Sequence, residues 1–344
     1  VLSRVWRNVA VKLGRYTLPM RISDLTRIVL ATTLLPILAA PAAHAWGRDG
    51  HMLINKLAAE NLPTDVPYFL RNPNGIDVIE WMGPEPDRWK QRDAEPELVA
   101  TQSPDHFFDY EWGIYGATPC AAGTKDCIDG YDFPRKRYDF IRNLSAALPQ
   151  HPEIKNFESV GFQPWQVEEV WQRLKSDFRE YRKLNEAHAD TAPVQLAILF
   201  DAGWLGHYVA DGSQPLHNTI QYNGWTGPNP HHYTTEHHIH AQFESIYVSA
   251  NIKSADVAPL VAAAQPTVID DEWTQYWDYL HRSNAMVEKV YQLEKNGGFT
   301  DAGTSEAKSF TAERLAAGAI ELRDLINSAW VHSADPVQEY HGPQ

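Results

Sequence analysis

The segment 193–217 constrains the fold most. Pro193 suits the first turn of a helix, and Leu196, Phe200, Gly203, Trp204 and His207 then lie along one face that continues to Asp211. Gly212 and Pro215 end it. His207 and Asp211 stand four apart, so a helix places both on one face about one turn apart. The Gly and Pro that follow turn the chain and can carry His217 back toward the same region. Alone, a His and an Asp at this spacing form a surface ion pair more often than a set of ligands.

Helical periodicity also marks 50–61, 131–148, 165–188, 272–293 and 305–332, the first stopping before Pro63. The intervals 83–128 and 218–233 are rich in Pro, Gly, Asn and aromatics and read as long structured loops, which in a compact domain usually serve a function. No repeat, low-complexity tract or linker interrupts the pattern. The expectation is an all-α chain, a single helical domain over 46–332 with a polar tail over 333–344.

Residues 1–45 read as a signal peptide. An apolar run over 28–40 follows Arg21 and Arg27 and precedes Ala43-His44-Ala45, a small-x-small cleavage pattern that leaves Trp46 first. Met20 would start a leader of ordinary length, with 1–19 as an over-long start. Pro36 and Pro41 argue against a buried helix there. Six of the chain's 30 basic residues but one of its 44 acidic residues precede Trp46, so the remainder is more acidic than the formal −14 of the whole. Such a chain gains little from general attraction to nucleic acid or anionic lipid, and a phosphate substrate must be drawn by something locally positive. Bound divalent cations would serve. Cys120 and Cys127, an even pair around a Gly-containing spacer in an exported chain, favour a local disulfide over a metal site.

His207, Asp211 and His217 have company. Trp46 and His51 open the expected processed chain. Asp87 sits in Pro86-Asp87-Arg88-Trp89, and His106 in Pro104-Asp105-His106-Phe107-Phe108-Asp109. His240 and Glu244 are again one helical turn apart. Imidazole and carboxylate are ligands that zinc accepts, and three-ligand sites leave room for water or substrate. The patterns of serine hydrolase elbows, phosphate-binding loops and H-E-x-x-H metalloproteases are missing from the sequence.

In this chain order these residues resemble the S1/P1 nuclease and zinc-dependent phospholipase C superfamily, closer to the nuclease branch. The resemblance spans Trp46 to about Tyr247 and rests on the H-x3-D-x5-H segment with Gln-Pro-Leu before its last His, and on a Trp as first residue. It implies three Zn2+. One would take Asp87, His106, His207 and Asp211. A second would take the Trp46 amino and carbonyl groups and His51, sharing Asp211. A third would take His217, His240 and Glu244, open to substrate phosphate. A close metal pair lowers the pKa of water toward neutrality and supplies hydroxide for attack on phosphorus. The Trp46 amine would ligate only as a free terminus, so leader cleavage would also mature the site.

Several alternatives stay open. His232 and Glu236 compete with His240 and Glu244, although His232 follows Pro228-Asn229-Pro230 in a loop. Asp77 and Asp93 compete with Asp87. Arg88 or Lys90 would supply a phosphate-contacting cation. Asp109 resembles a carboxylate that orients metal-bound groups in the family, with an ordinary ion pair as its bland alternative. Phe107 and Phe108 offer a stacking face or core packing. Trp81, Trp165, Trp171 and Trp204 fit helical core positions, whereas Trp112, Tyr115 and Trp225 lie in loops suited to lining a cleft. Three functions compete: a nuclease for single-stranded DNA or RNA with 3′-nucleotidase activity, a phospholipase C, and a non-catalytic exported zinc-binding protein suggested by the histidines of 231–240. No stable protein partner is implied, and the location would be periplasmic or extracellular.

Overall fold

The computed structural model describes residues 46–90 and 94–337. The expected leader and its cleavage point, Asp93, and the end of the expected tail lie outside the described residues. The longer helices, in chain order, are α1 (Gly47–Glu60), α2 (Pro73–Met82), α3 (Arg137–Ala147), α4 (Gln163–Glu186), α5 (Ala192–Ser213), α6 (Ser254–Ala263), α7 (Glu272–Asn284), α8 (Val287–Lys295) and α9 (Ser305–His332). The chain is all-α apart from a small three-stranded sheet, β1 (Thr118–Pro119), β2 (Cys127–Ile128) and β3 (Tyr131–Asp132), ordered β1-β3-β2 and antiparallel throughout. No described helix is long and apolar enough to cross a membrane.

α5 is the helix around which the others pack. It meets α1, α2, α4 and α9, and from Leu205 to Ser213 every residue is buried, so this half of the helix has no solvent face. Tyr208 and Val209 enter one apolar cluster, whose aromatic centre includes Phe108, Phe133, Trp165 and Trp277. Ala210 enters a second, with Trp46, Phe243, Tyr247 and Leu315. The first turns of α5 emerge from the bundle, leaving Leu196 and Phe200 exposed, contrary to the continuous inward face that the periodicity suggests.

One polar joint fixes the approach of α1 and α2 to α5. The buried Asn55 amide donates to the carbonyls of Ile79 on α2 and Gly203 on α5, both at 2.9 Å. Close approach requires Gly206, because a Cβ there would overlap the Asn55 side chain. His51 lies one turn before Asn55 on α1, so the joint also sets the height at which His51 faces His207.

Two expected helices differ. The segment from Tyr131 begins as strand, and α3 starts only at Arg137, after Pro134. Pro lacks the N–H that a continuing helix needs. The helix expected over 272–293 breaks between Asn284 and Val287, where the Asn284 amide donates to the Asn218 carbonyl at 2.7 Å. α2 and α6 had no counterpart in the sequence reading, and the interval 83–128 holds the short helices Glu85–Arg88, Pro96–Gln102 and Tyr110–Gly113. Cys120 and Cys127 form the expected disulfide, with Cα atoms 5.9 Å apart.

Gly206→Ala is expected to cost about 1–3 kcal/mol by overpacking. Urea unfolding of the purified protein measures it, and an unchanged midpoint would contradict the tight joint.

Candidate metal centre

Five segments deliver the acidic and imidazole groups to one buried region. α1 brings His51, the short helix Glu85–Arg88 brings Asp87, and the 3-10 turn Ser103–His106 brings His106. α5 and the turn Pro215–His217 bring His207, Asp211 and His217, and Ile239–Ala241 with the π-helical turn Gln242–Tyr247 brings His240 and Glu244.

Four histidine rings are held in the same way. Nδ1 of His106 lies 2.6 Å from the Gln102 carbonyl, and Nδ1 of His207 lies 2.7 Å from the Gly83 carbonyl. Nδ1 of His217 lies 2.7 Å from the His106 carbonyl, and Nδ1 of His240 lies 3.1 Å from the Tyr222 carbonyl. A carbonyl oxygen only accepts, so each Nδ1 carries a proton and each ring turns its Nε2 inward. Among the described residues, Nε2 of His106, His207 and His217 and both oxygens of Asp211 make no hydrogen bond, although all are buried. Buried polar atoms are normally satisfied. This set is instead aimed at a shared centre.

The separations agree. Nε2 of His51 is 3.3 Å from Asp211 Oδ1 and 3.9 Å from Asp87 Oδ2. Nε2 of His207 is 3.4 Å from Asp211 Oδ2 and 3.9 Å from Asp87 Oδ1, and Nε2 of His106 is 3.7 Å from Asp87 Oδ1. Ligands about 2.0–2.2 Å from a tetrahedral zinc stand roughly 3.4 Å apart. Direct hydrogen bonds would be about half an ångström shorter. Three sets of ligand atoms converge, those of each set lying within 4.8 Å of one another: His51, Asp87 and His207; His106, His207 and Asp211; His217, His240 and Glu244. Asp211 turns one oxygen to His51 and the other to His207, as a bridging carboxylate would.

The electrostatics suit a centre completed by cations. Burial holds His106 and His207 well below the usual histidine range, with Lys90 and His51 respectively adding to the effect, so both rings stay neutral at pH 7. Burial drives Asp211 well above the usual carboxylate range, against the pull of His217. In the third group burial opposes the Glu244 charge, but His240 and His217 outweigh it and bring the carboxyl to about 2. Burial likewise opposes charge on His240, and Glu244 raises it. Glu244 Oε2 lies 3.1 Å from His240 Nε2 and 3.4 Å from His217 Nε2, and it accepts the Gln214 amide at 2.9 Å.

The other candidates sort by position. His232 and Glu236 are exposed, as is Asp77. Arg88 leans away, over the Trp81 ring and onto Glu85, and Lys90 instead meets Asp87 Oδ1 at 2.8 Å. That pair of contacts also leaves Trp81 exposed rather than in the core. Asp109 is buried, and burial together with Glu111 raises its carboxyl well above the usual range. Its backbone belongs to the site's frame, since the adjoining Phe108 N–H donates to the His217 carbonyl at 2.9 Å. Phe108 is a core residue. Tyr115 stacks on His151, and Trp225 packs on Tyr233 and Tyr291. Tyr222, unremarked in the sequence, is 53 % exposed with its ring 6.1 Å from that of His240. Trp46 is fully buried, and its indole donates to the Ala210 carbonyl and Ser213 Oγ, both at 2.8 Å.

No family model matches this chain, and no curated protein matches it. Among solved structures it is similar to the Clostridium perfringens alpha-toxin from avian strain SWCP, with a TM-score of 0.35 and 11 % identity over 84 % of this chain. It spans 64 % of the toxin chain, and so slight a likeness carries no weight for the site.

Asp211 generates a two-sided expectation. A carboxyl with a raised folded pKa favours the fold below its unfolded value near 3.8 and loses that contribution as pH rises through the folded pKa. At pH 7 the raised carboxyl therefore weighs against the metal-free fold, a cost that a bound cation would relieve. Asp211→Asn should raise the melting temperature of chelator-treated protein while largely removing the rise on adding zinc. Calorimetry with and without zinc measures both, and an undiminished zinc response in the variant would rule out Asp211 as a ligand.

Proposed function

We propose that the protein is an exported, zinc-dependent phosphodiester hydrolase of the S1/P1 nuclease type, acting on single-stranded DNA or RNA and also as a 3′-nucleotidase. The observation that carries the hydrolase reading is the set of inward Nε2 atoms, locked by carbonyls and interleaved with Asp87, Asp211 and Glu244. The donor chemistry fits three zinc ions: Asp87, His106, His207 and Asp211 for one, the Trp46 terminus, His51 and Asp211 for another, and His217, His240 and Glu244 for the third. Zinc, when bound, supplies Lewis acidity toward phosphoryl oxygen and a means of activating water at neutral pH.

The chain's own residues perform the remaining tasks. The four carbonyl locks keep the rings in one tautomer, and Gln214 holds Glu244 while its own Oε1 accepts the Leu216 N–H at 2.7 Å. Lys90, beside Asp87 and partly exposed, is positioned to meet a substrate phosphate in place of Arg88. Asp109 follows Phe108, whose N–H donates to the His217 carbonyl, and its own N–H donates to the Val160 carbonyl at 2.8 Å, so its carboxyl is the nearest candidate to steady that turn. Tyr222 offers an accessible aromatic face next to the third group, suited to stacking a base.

Export is part of the reading. Cleavage at Ala45–Trp46 would free the Trp46 amine to act as a ligand. The disulfide is compatible with an oxidising compartment.

The same Tyr222 ring would also suit a quaternary ammonium, which keeps a phospholipase C as the second reading. Processed, zinc-loaded protein should cleave denatured DNA and RNA and leave phosphatidylcholine vesicles intact. Tyr222→Ala should raise KM for oligonucleotides about tenfold, the scale of one lost base stack. Hydrolysis of the lipid alone would remove the nuclease assignment, and turnover of neither substrate by fully metallated protein would remove the hydrolase.

A further inference from the structure

His240 is gripped at two points by the tip of a loop. The Tyr222 carbonyl accepts its Nδ1 proton at 3.1 Å, and its backbone N–H donates to Asn223 Oδ1 at 3.3 Å. The same two-residue tip carries the exposed Tyr222 ring. Whatever fixes the tip therefore fixes both the ligand and the aromatic face beside it.

One hydroxyl closes the tip. Tyr291, on α8, is fully buried. Its hydroxyl donates to the Gln221 carbonyl on one side of the tip and accepts the Gly224 N–H at 3.0 Å on the other. Burial pushes the phenol up to about 12, so the hydroxyl keeps the proton that it donates. Gly224 has a positive φ (110°), and a Cβ there would come within 2.7 Å of the Thr235 carbonyl, so the return of the tip is tight. The Tyr291 ring is held in turn, edge-on to Trp225 with centroids 5.2 Å apart and 5.6 Å from the ring of Tyr233.

A second clamp precedes the tip. Glu111, in the short helix Tyr110–Gly113, accepts the Thr219 hydroxyl with one oxygen and the Ile220 N–H at 3.0 Å with the other. The Gln221 N–H then donates to Thr219 Oγ at 3.1 Å. A carboxylate that bonds two successive residues, one with each oxygen, fixes direction as well as distance. We propose that Tyr291 and Glu111 are positioning residues for the third group, holding the 219–224 tip so that His240 meets its cation and Tyr222 faces the substrate. The inference rests on the zinc-dependent reading of that group. Loss of the group that holds a metal-bound histidine by its far nitrogen lowers metal affinity about ten- to a hundredfold. Here the Tyr222 carbonyl is that group, and Tyr291 and Glu111 act through it.

Chelator competition on the processed protein measures its zinc affinities. Tyr291→Phe keeps the ring and its packing and removes only the hydroxyl. It is expected to weaken one of three zinc ions about tenfold and to leave the other two at parental affinity, and Glu111→Ala should do the same. The zinc concerned should be the one lost in His240→Ala, so adding Tyr291→Phe to that variant should change nothing further. Leu144→Ala, a core truncation on α3, is the control: it should lower the melting temperature and leave all three affinities unchanged. Parental affinities at all three zinc ions in both Tyr291→Phe and Glu111→Ala would overturn the positioning role. So would an equal loss at all three, which would mark a general contribution to the fold. A parent that binds no zinc through His240 would overturn the metal reading itself, a result visible before either clamp is altered. Failure to cleave nucleic acid would leave the clamp standing.

Discussion

Four backbone carbonyls decide what this protein can do. Each accepts the Nδ1 proton of one histidine and so turns the opposite nitrogen into a fixed donor for a cation. The carbonyls come from Gly83, Gln102, His106 and Tyr222, and any residue type could supply them. Removing the free rotation of the rings in advance lowers the entropy lost when a metal binds. It also leaves buried carboxylates facing lone pairs, an arrangement that is unfavourable until positive charge arrives.

That arrangement is tolerable because α5 is anchored from every side. Its residues supply both apolar clusters, and the Asn55 amide ties it to α1 and α2 at Gly203. The buried Asp211 is therefore held on a helix whose packing is continuous for its last two turns. On the far side, Asn284, at the end of α7, donates to the Asn218 carbonyl beside the His217 turn.

The sequence made part of this legible. α9 spans the predicted 305–332, because its periodicity runs unbroken between the Thr304 cap and the polar residues beyond His332. The His207 and Asp211 pair follows from helical spacing, the return of His217 from Gly212 and Pro215, and the preference for His240 and Glu244 from the amphipathic stretch through Phe243 and Tyr247, and the structure brings those groups together. What could not be read depends on contacts between distant segments. The carbonyl locks are backbone groups and leave no residue-type signature. Arg88 and Lys90 differ by two positions at the end of a four-residue helix, where side-chain direction depends on the Trp81 ring that captures Arg88. The break in 272–293 falls where Asn284 meets Asn218, more than sixty positions earlier.

Anomalous diffraction at the zinc edge from crystals of the processed protein tests the central claim most directly. The account predicts three peaks, each within about 2.3 Å of the Nε2 or carboxylate atoms of His51, Asp87, His106, His207, Asp211, His217, His240 and Glu244. A zinc-replete crystal with no peak among these inward nitrogens, or with zinc held instead by the exposed histidines at 231, 232, 237 and 238, would contradict it.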